Sequence, residues 1–171
     1  MSEEIINKVS QSGLVEFNLE EYYPQGERVL LDIKDKLFQG LILKEKDFRE
    51  FVKGEDWSRY QNKFTAITCS ADAIVPTWAY MLLTTALAPY ASFVVFGNLE
   101  TMETVLFEKA LMNIDITKYK DQRVVIKGCS QVPVPISAYV EITRILRPLV
   151  QSIMYGEPCS TVPLYKKAKS V

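Results

Sequence analysis

The chain of 171 residues contains no histidine. That absence excludes Ser-His-Asp and Cys-His catalytic machinery, histidine general bases, and the two-histidine helix of zinc hydrolases. Cysteine is scarce as well, with three residues in all, and no Cys-x-x-Cys pair occurs among them. Net charge is −1, and Lys and Arg are interleaved with Asp and Glu, as in "LKEKDFRE" from Leu43 to Glu50. A nucleic-acid binder needs a concentrated basic face, so nucleic acid is not an expected partner. Lys166, Lys167 and Lys169 form the single basic cluster and read as a solvated end. The start "MSEEIINKVS" has no apolar signal core, which points to a cytoplasmic protein. Charge is missing altogether from Ala73 to Leu99, a stretch long enough to raise a membrane span. Pro76, Pro89 and Gly97 break it into loop, helix and strand, so it reads as buried core, and no membrane partner is expected.

What is present is ordinary globular composition, 48% hydrophobic and 24% charged, in a length that suits one domain. It also contains a repeat. "YQNKFTAITCSADAIVPTWAYMLLTTALAPYASFVVFG", residues 60–97, lies over "YKDQRVVIKGCSQVPVPISAYVEITRILRPLVQSIMYG", residues 119–156. The offset is 59 at both ends, with one residue gained before the cysteine and one lost after it. Tyr80 falls on Tyr139, Thr84 on Thr143, Pro89 on Pro148, Gly97 on Gly156, and Cys69 on Cys129.

Each copy parses as βαβ. Phe64 to Thr68 and Arg123 to Ile126 are β-branched runs of strand type. The cysteine stands at the strand exit, a Pro-containing loop follows, and a helical period begins after Pro76 or Pro135. Pro89 and Pro148 end the helices. The first helix has few polar positions and is expected to be buried, whereas Glu141, Arg144 and Arg147 give the second a wet face. "SFVVFG" and "SIMYG" read as closing strands. Between the copies Asn98 caps a helix carrying Met102, Val105, Leu106 and Ala110. Upstream, residues 2–11 read as a helix, Arg28 to Ile33 as a strand, "GLIL" as a further short strand, and "KEKDFREFVKGEDW" as a helix ending at Gly54 with Phe48, Phe51 and Val52 inward. The expected fold is one α/β domain over 1–171: a mainly parallel sheet built from two repeated βαβ units, with residues 1–58 as an N-terminal extension.

Parallel sheets bind ligands at the carboxyl ends of their strands. Cys69 and Cys129 stand at two such ends and Cys159 follows the last strand, each with a serine after it, Ser70, Ser130 and Ser160. If the copies face one another across a crevice, the three thiolates converge on a metal. Zinc would take Asp72, Glu157 or a water as fourth ligand, and an iron–sulfur cluster would leave one iron for a carboxylate or an exogenous ligand, with the serine hydroxyls tuning the sulfurs. The competing reading treats the cysteines as small buried hydrophobes in an interaction or scaffold module, with a homo-oligomer among its forms. A third makes one cysteine a nucleophile, its thiolate held by Lys127, a helix N-terminus or backbone donors, with Asp72 as acid/base partner. The Tyr22-Tyr23-Pro24 run reads as packing over a sheet edge in preference to an exposed patch.

"GLILKEKDFRE", "TCSADAIVPTWAYMLL", "KGCSQVPVPISAYVE" and "SIMYGEPCSTVPLYKK" resemble, over essentially the whole chain, domain-of-unknown-function family 2480 of Bacteroidetes. The resemblance implies a cytoplasmic location and, by association alone, a link to iron–sulfur assembly proteins as partners. It transfers no activity. The resulting expectation is a cysteine-ligated metal or iron–sulfur accessory protein, not an enzyme.

Overall fold

The computed structural model describes residues 13–128, 131–157 and 160–168. The expected helix over residues 2–11 lies outside them. The chain divides into two compact units, an inserted unit of Gln25–Val105 and a flanking unit of Met1–Pro24 with Leu106–Val171. Each is described by itself.

The inserted unit contains β2 (Arg28–Asp32), α1 (Glu45–Gly54), β3 (Phe64–Thr68), α2 (Thr77–Leu87) and β4 (Phe93–Phe96). Its sheet is parallel throughout, in the order β2-β3-β4. Its core gathers Ile33, Phe48, Trp57, Ile67, Leu83 and Leu87. The flanking unit contains β1 (Leu14–Asn18), β5 (Arg123–Lys127), α4 (Ile136–Leu146), β6 (Ser152–Glu157) and β7 (Ser160–Lys166). Here β1, β5 and β6 run parallel and β7 returns antiparallel on β6. Phe17, Leu19, Phe107, Ile126, Ile142 and Ile153 are central to its core. The helix α3 (Leu99–Met112) begins in the inserted stretch and ends in the flanking one. Asn98 accepts the Thr101 N–H at 2.8 Å and caps it, as its sequence predicts.

The repeat is structural. Ala79, Leu83 and Leu87 on α2, and Ala138, Ile142 and Leu146 on α4, form the same buried stripe at helical spacing. Thr84 donates its hydroxyl to the Tyr80 carbonyl at 2.8 Å, and Thr143 to the Tyr139 carbonyl at 2.7 Å. Tyr80 stands edge-on to Phe96 at 5.0 Å, and Tyr139 edge-on to Tyr155 at 5.8 Å. The correspondence also reaches strands that the sequence comparison leaves out. Asn18 ends β1 and accepts the Glu20 N–H at 3.1 Å; Asp32 ends β2 and accepts the Lys34 N–H at 3.0 Å. A 3-10 turn follows in each case, and Leu19 and Ile33, the residues between, are fully buried. Each unit is therefore a βαβ copy supplied with a first strand from the N-terminal stretch.

This corrects the expectation of one sheet. β3, which precedes Cys69, and β5, which precedes Cys129 in sequence, lie in different sheets. Both edges of β3 are taken by β2 and β4, and both edges of β5 by β1 and β6, so neither offers the other a free ladder. "STVPLYK" forms a strand that the sequence reading leaves unassigned, with Lys166 and Lys167 exposed. Pro163 argues against a strand from sequence, but it sits beside a register shift on a strand paired on one side, where a missing N–H costs no ladder bond. "GLIL" makes isolated bridges of Ile42 with Phe38 and Ile74 in place of a strand. Nor is α2 buried all round, since Met81 is 64% exposed. Tyr22 and Tyr23 pack against the core of the flanking unit, with Tyr22 stacked on Phe17 at 5.1 Å.

Candidate functional site

Cys69 follows β3 directly, at the carboxyl edge of the inserted sheet, where its sequence places it. It is half-buried, packs against the apolar core of its unit, and its thiol lies 3.9 Å from the Ala71 carbonyl oxygen. Beside it, Asp32 ties the loop down. Asp32 Oδ2 accepts the Ser70 hydroxyl at 2.5 Å, and Oδ1 accepts the Ser70 N–H at 3.1 Å as well as that of Lys34. Burial pushes the Asp32 carboxyl upward, but the Ser70 and Lys34 hydrogen bonds and the Lys34 charge outweigh it and hold the group below its ordinary value. The Tyr80 phenol is raised, first by burial and then by the neighbouring Cys69 and Asp32. Ser70 is thus occupied as a loop anchor, while Asp72 is exposed in the same loop.

At the carboxyl edge of the flanking sheet, Lys127 pairs with Glu16 and lies 4.0 Å from Glu157. The hydrogen bond to Glu16 raises the Lys127 ammonium; burial opposes this, and the charges of Glu16, Glu157 and Glu20 add to it. Glu20 accepts the Gln131 N–H at 2.8 Å. The hollow these groups border has about 40 Å³, room for little beyond a water molecule. Ser160 opens β7 opposite Glu157. Cys129, Ser130 and Cys159 lie outside the described residues. Among the described residues no three Cys, Asp or Glu side chains converge to hold a metal ion.

The larger recess lies beside this edge. Ile126 on β5, Tyr155 on β6 and Leu164 on β7 form one side, and Val134, Ile136 and Tyr139 the other, around about 440 Å³. The lining is almost wholly apolar, because alternation turns Tyr155 toward α4 and the helix returns Tyr139 onto it. At the rim Ile136 is 81% exposed and Tyr155 41%. Gly128 is needed behind it, since a Cβ there would stand 2.9 Å from the Tyr139 hydroxyl and 3.2 Å from the Leu19 Cβ.

The family model of DUF2480, described as a protein of unknown function, matches residues 3–167. The chain belongs to that family. No curated protein and no solved structure matches it. Family membership therefore adds no site residues, and geometry alone ranks the candidates in this DUF2480 chain. The recess escaped sequence reasoning, which followed the cysteines. Its signal was Ile136, an apolar residue at the first helical position after Pro135, on the side of α4 away from the buried stripe. No helix among the described residues is long and apolar enough to cross a membrane.

Proposed function

We propose that the protein is a non-catalytic interaction module, and that the recess of the flanking unit receives an apolar or aromatic side chain of a polypeptide partner. The supporting observation is the recess itself: a 440 Å³ hollow of apolar and aromatic side chains whose rim residue Ile136 is left 81% exposed. Exposed apolar surface around a preformed apolar hollow is the usual mark of a recognition site. Its threonine does not compete for a ligand, because the Thr143 hydroxyl is already committed to the Tyr139 carbonyl. Indole, as a stand-in for an aromatic side chain, tests this by NMR titration of the full chain. Shifts confined to residues 126, 134–143, 155 and 164, and lost in Ile136→Glu, are expected. Shifts that are absent, or that survive this substitution, overturn the proposal.

A second reading retains Cys69, Cys129 and Cys159, with Asp72 or Glu157, as ligands of zinc or an iron–sulfur cluster, and iron–sulfur assembly proteins as partners. What supports it is the position of Cys69 at a strand exit, beside a loop whose serine is fixed by Asp32.

A further inference from the structure

Strand alternation gives the flanking sheet a second face, carrying Ser152 and Met154 where the recess face carries Ile153 and Tyr155. A cavity of about 360 Å³ opens there. Its polar end is one cross-strand row. Arg123 on β5 stands opposite Ser152 on β6, and Ser152 stands opposite Lys166 on β7. Its apolar end is the next row on the same face, where Met154 pairs with Pro163, with Tyr165 closing the side. No Asp or Glu is among the described residues that line it.

Ser152 is the informative member of this row. It is 7% exposed, and its hydroxyl has no hydrogen-bond partner among the described residues. A buried hydroxyl left unpaired is costly, so such groups ordinarily find a partner. Serine turns readily between staggered wells about χ1, which lets a group held in the cavity be that partner. Two cationic side chains on either side of it fix the sign of the ligand.

We infer that this cavity binds a small organic anion. A carboxylate head lies between Arg123 and Lys166 and accepts the Ser152 hydroxyl, and an apolar body of medium chain length lies over Met154 and Pro163. The register shift between Ile153 and Met154 serves this arrangement, since it brings Pro163 and Lys166, three residues apart, onto the one face that carries Met154 and Ser152, while Leu164 lines the recess. The site is independent of the recess proposed for a partner side chain.

Octanoate is the probe, with octanol and inorganic phosphate as comparison arms, titrated into the labelled full chain and followed by NMR. Octanoate is expected to bind at least about tenfold more tightly than either, because octanol lacks the charge-assisted hydrogen bond and phosphate lacks the apolar body. Ser152→Ala and Lys166→Gln each weaken it by about tenfold, Ser152→Ala without lowering the melting temperature. Added salt weakens it further. Ile136→Glu leaves it unchanged. Equal binding of octanol shows that the head is not recognised, and equal binding of phosphate that the body is not; either overturns the assignment. So does full octanoate affinity in both cavity variants, or loss in Ile136→Glu, which would put octanoate in the recess.

Discussion

Asn62 and Asp121 occupy the same place in the two units. Both have left-handed backbone, with φ of 60° and 58°, and both follow a 3-10 turn just before the central strand. The Asn62 N–H donates to the Tyr90 carbonyl and the Asp121 N–H to the Leu149 carbonyl, each at 2.9 Å, locking the strand entrance to the turn after the helix. Asn and Asp tolerate this conformation better than any other side-chain-bearing residues. Asn62→Val and Asp121→Val should therefore each cost about 1–2 kcal/mol, whereas the glycine variants stay near wild type. Urea denaturation at neutral pH measures both. Valine variants as stable as the glycine ones would show that the conformation is not what selects these residues.

Much of this was legible in sequence because local chemistry and tertiary packing agree. The βαβ parse, the Asn98 cap, the Pro-bounded helices and the end of α1 at Gly54 rest on periodicity and capping, and the structure repeats them. Which strands share a sheet was not legible, because β1 and β2 are five-residue segments that say nothing about whether β5 or β3 will recruit them. The same limit hid β7. Pro163 reads locally as a strand breaker, and only an edge with a register shift accommodates it. The cysteines drew attention to the strand exits, but the recess and the second cavity are made by side chains that meet across strands. No short motif records such a meeting.

Asp32 gives a prediction with a definite pH window. Its folded-state pKa is depressed, so its contribution to stability is complete above the ordinary aspartate value of about 3.9 and is lost as pH falls through the lower folded value. Asp32→Ala removes acceptors for the Ser70 hydroxyl and for the Ser70 and Lys34 N–H groups, and should cost about 1–2 kcal/mol at pH 7. Asp32→Asn should lose less, since Asn18 makes the corresponding turn in the other unit without a charge. The gap between wild type and Asp32→Ala should narrow below about pH 3.9. Denaturation curves at pH 7 and pH 3 check this, and a gap unchanged at pH 3 rules the carboxylate out as its source.

Gly97, just past β4, and Gly156, one residue before the end of β6, are equivalent positions in the repeat, with φ of 135° and 117°, yet they should respond differently to substitution. A Cβ at Gly156 would stand 2.5 Å from the Ser160 carbonyl oxygen, in the strand to which β6 is paired. Relief there means moving backbone and loosening β7. At Gly97 the nearest atoms belong to the Thr101 side chain, at 2.8 Å, which can turn at the expense of its 3.0 Å hydrogen bond to Asn98. Gly156→Ala is expected to cost about 3 kcal/mol or more and Gly97→Ala about 1–2. Faster hydrogen exchange in β7 should accompany the first variant alone. Equal losses with β7 protection unchanged would contradict the clash.

Cys69 separates the two functional readings. As a core-packing thiol it behaves as a small hydrophobe, so Cys69→Ala should cost about 1 kcal/mol and leave the indole response of the recess intact. As a metal ligand it would instead hold part of the folding free energy through the metal, because thiolate ligation stabilises only the folded chain. Anaerobically purified protein would then carry near-stoichiometric zinc or iron, with a visible spectrum in the latter case, and Cys69→Ser would remove the metal together with much of the stability. Metal analysis of wild type and Cys69→Ser, run beside their denaturation curves, distinguishes these outcomes. Metal-free wild type with a mild Cys69→Ala effect ends the metal reading. Metal lost on substitution ends the packing one, and would make Cys129 and Cys159 the next positions to replace.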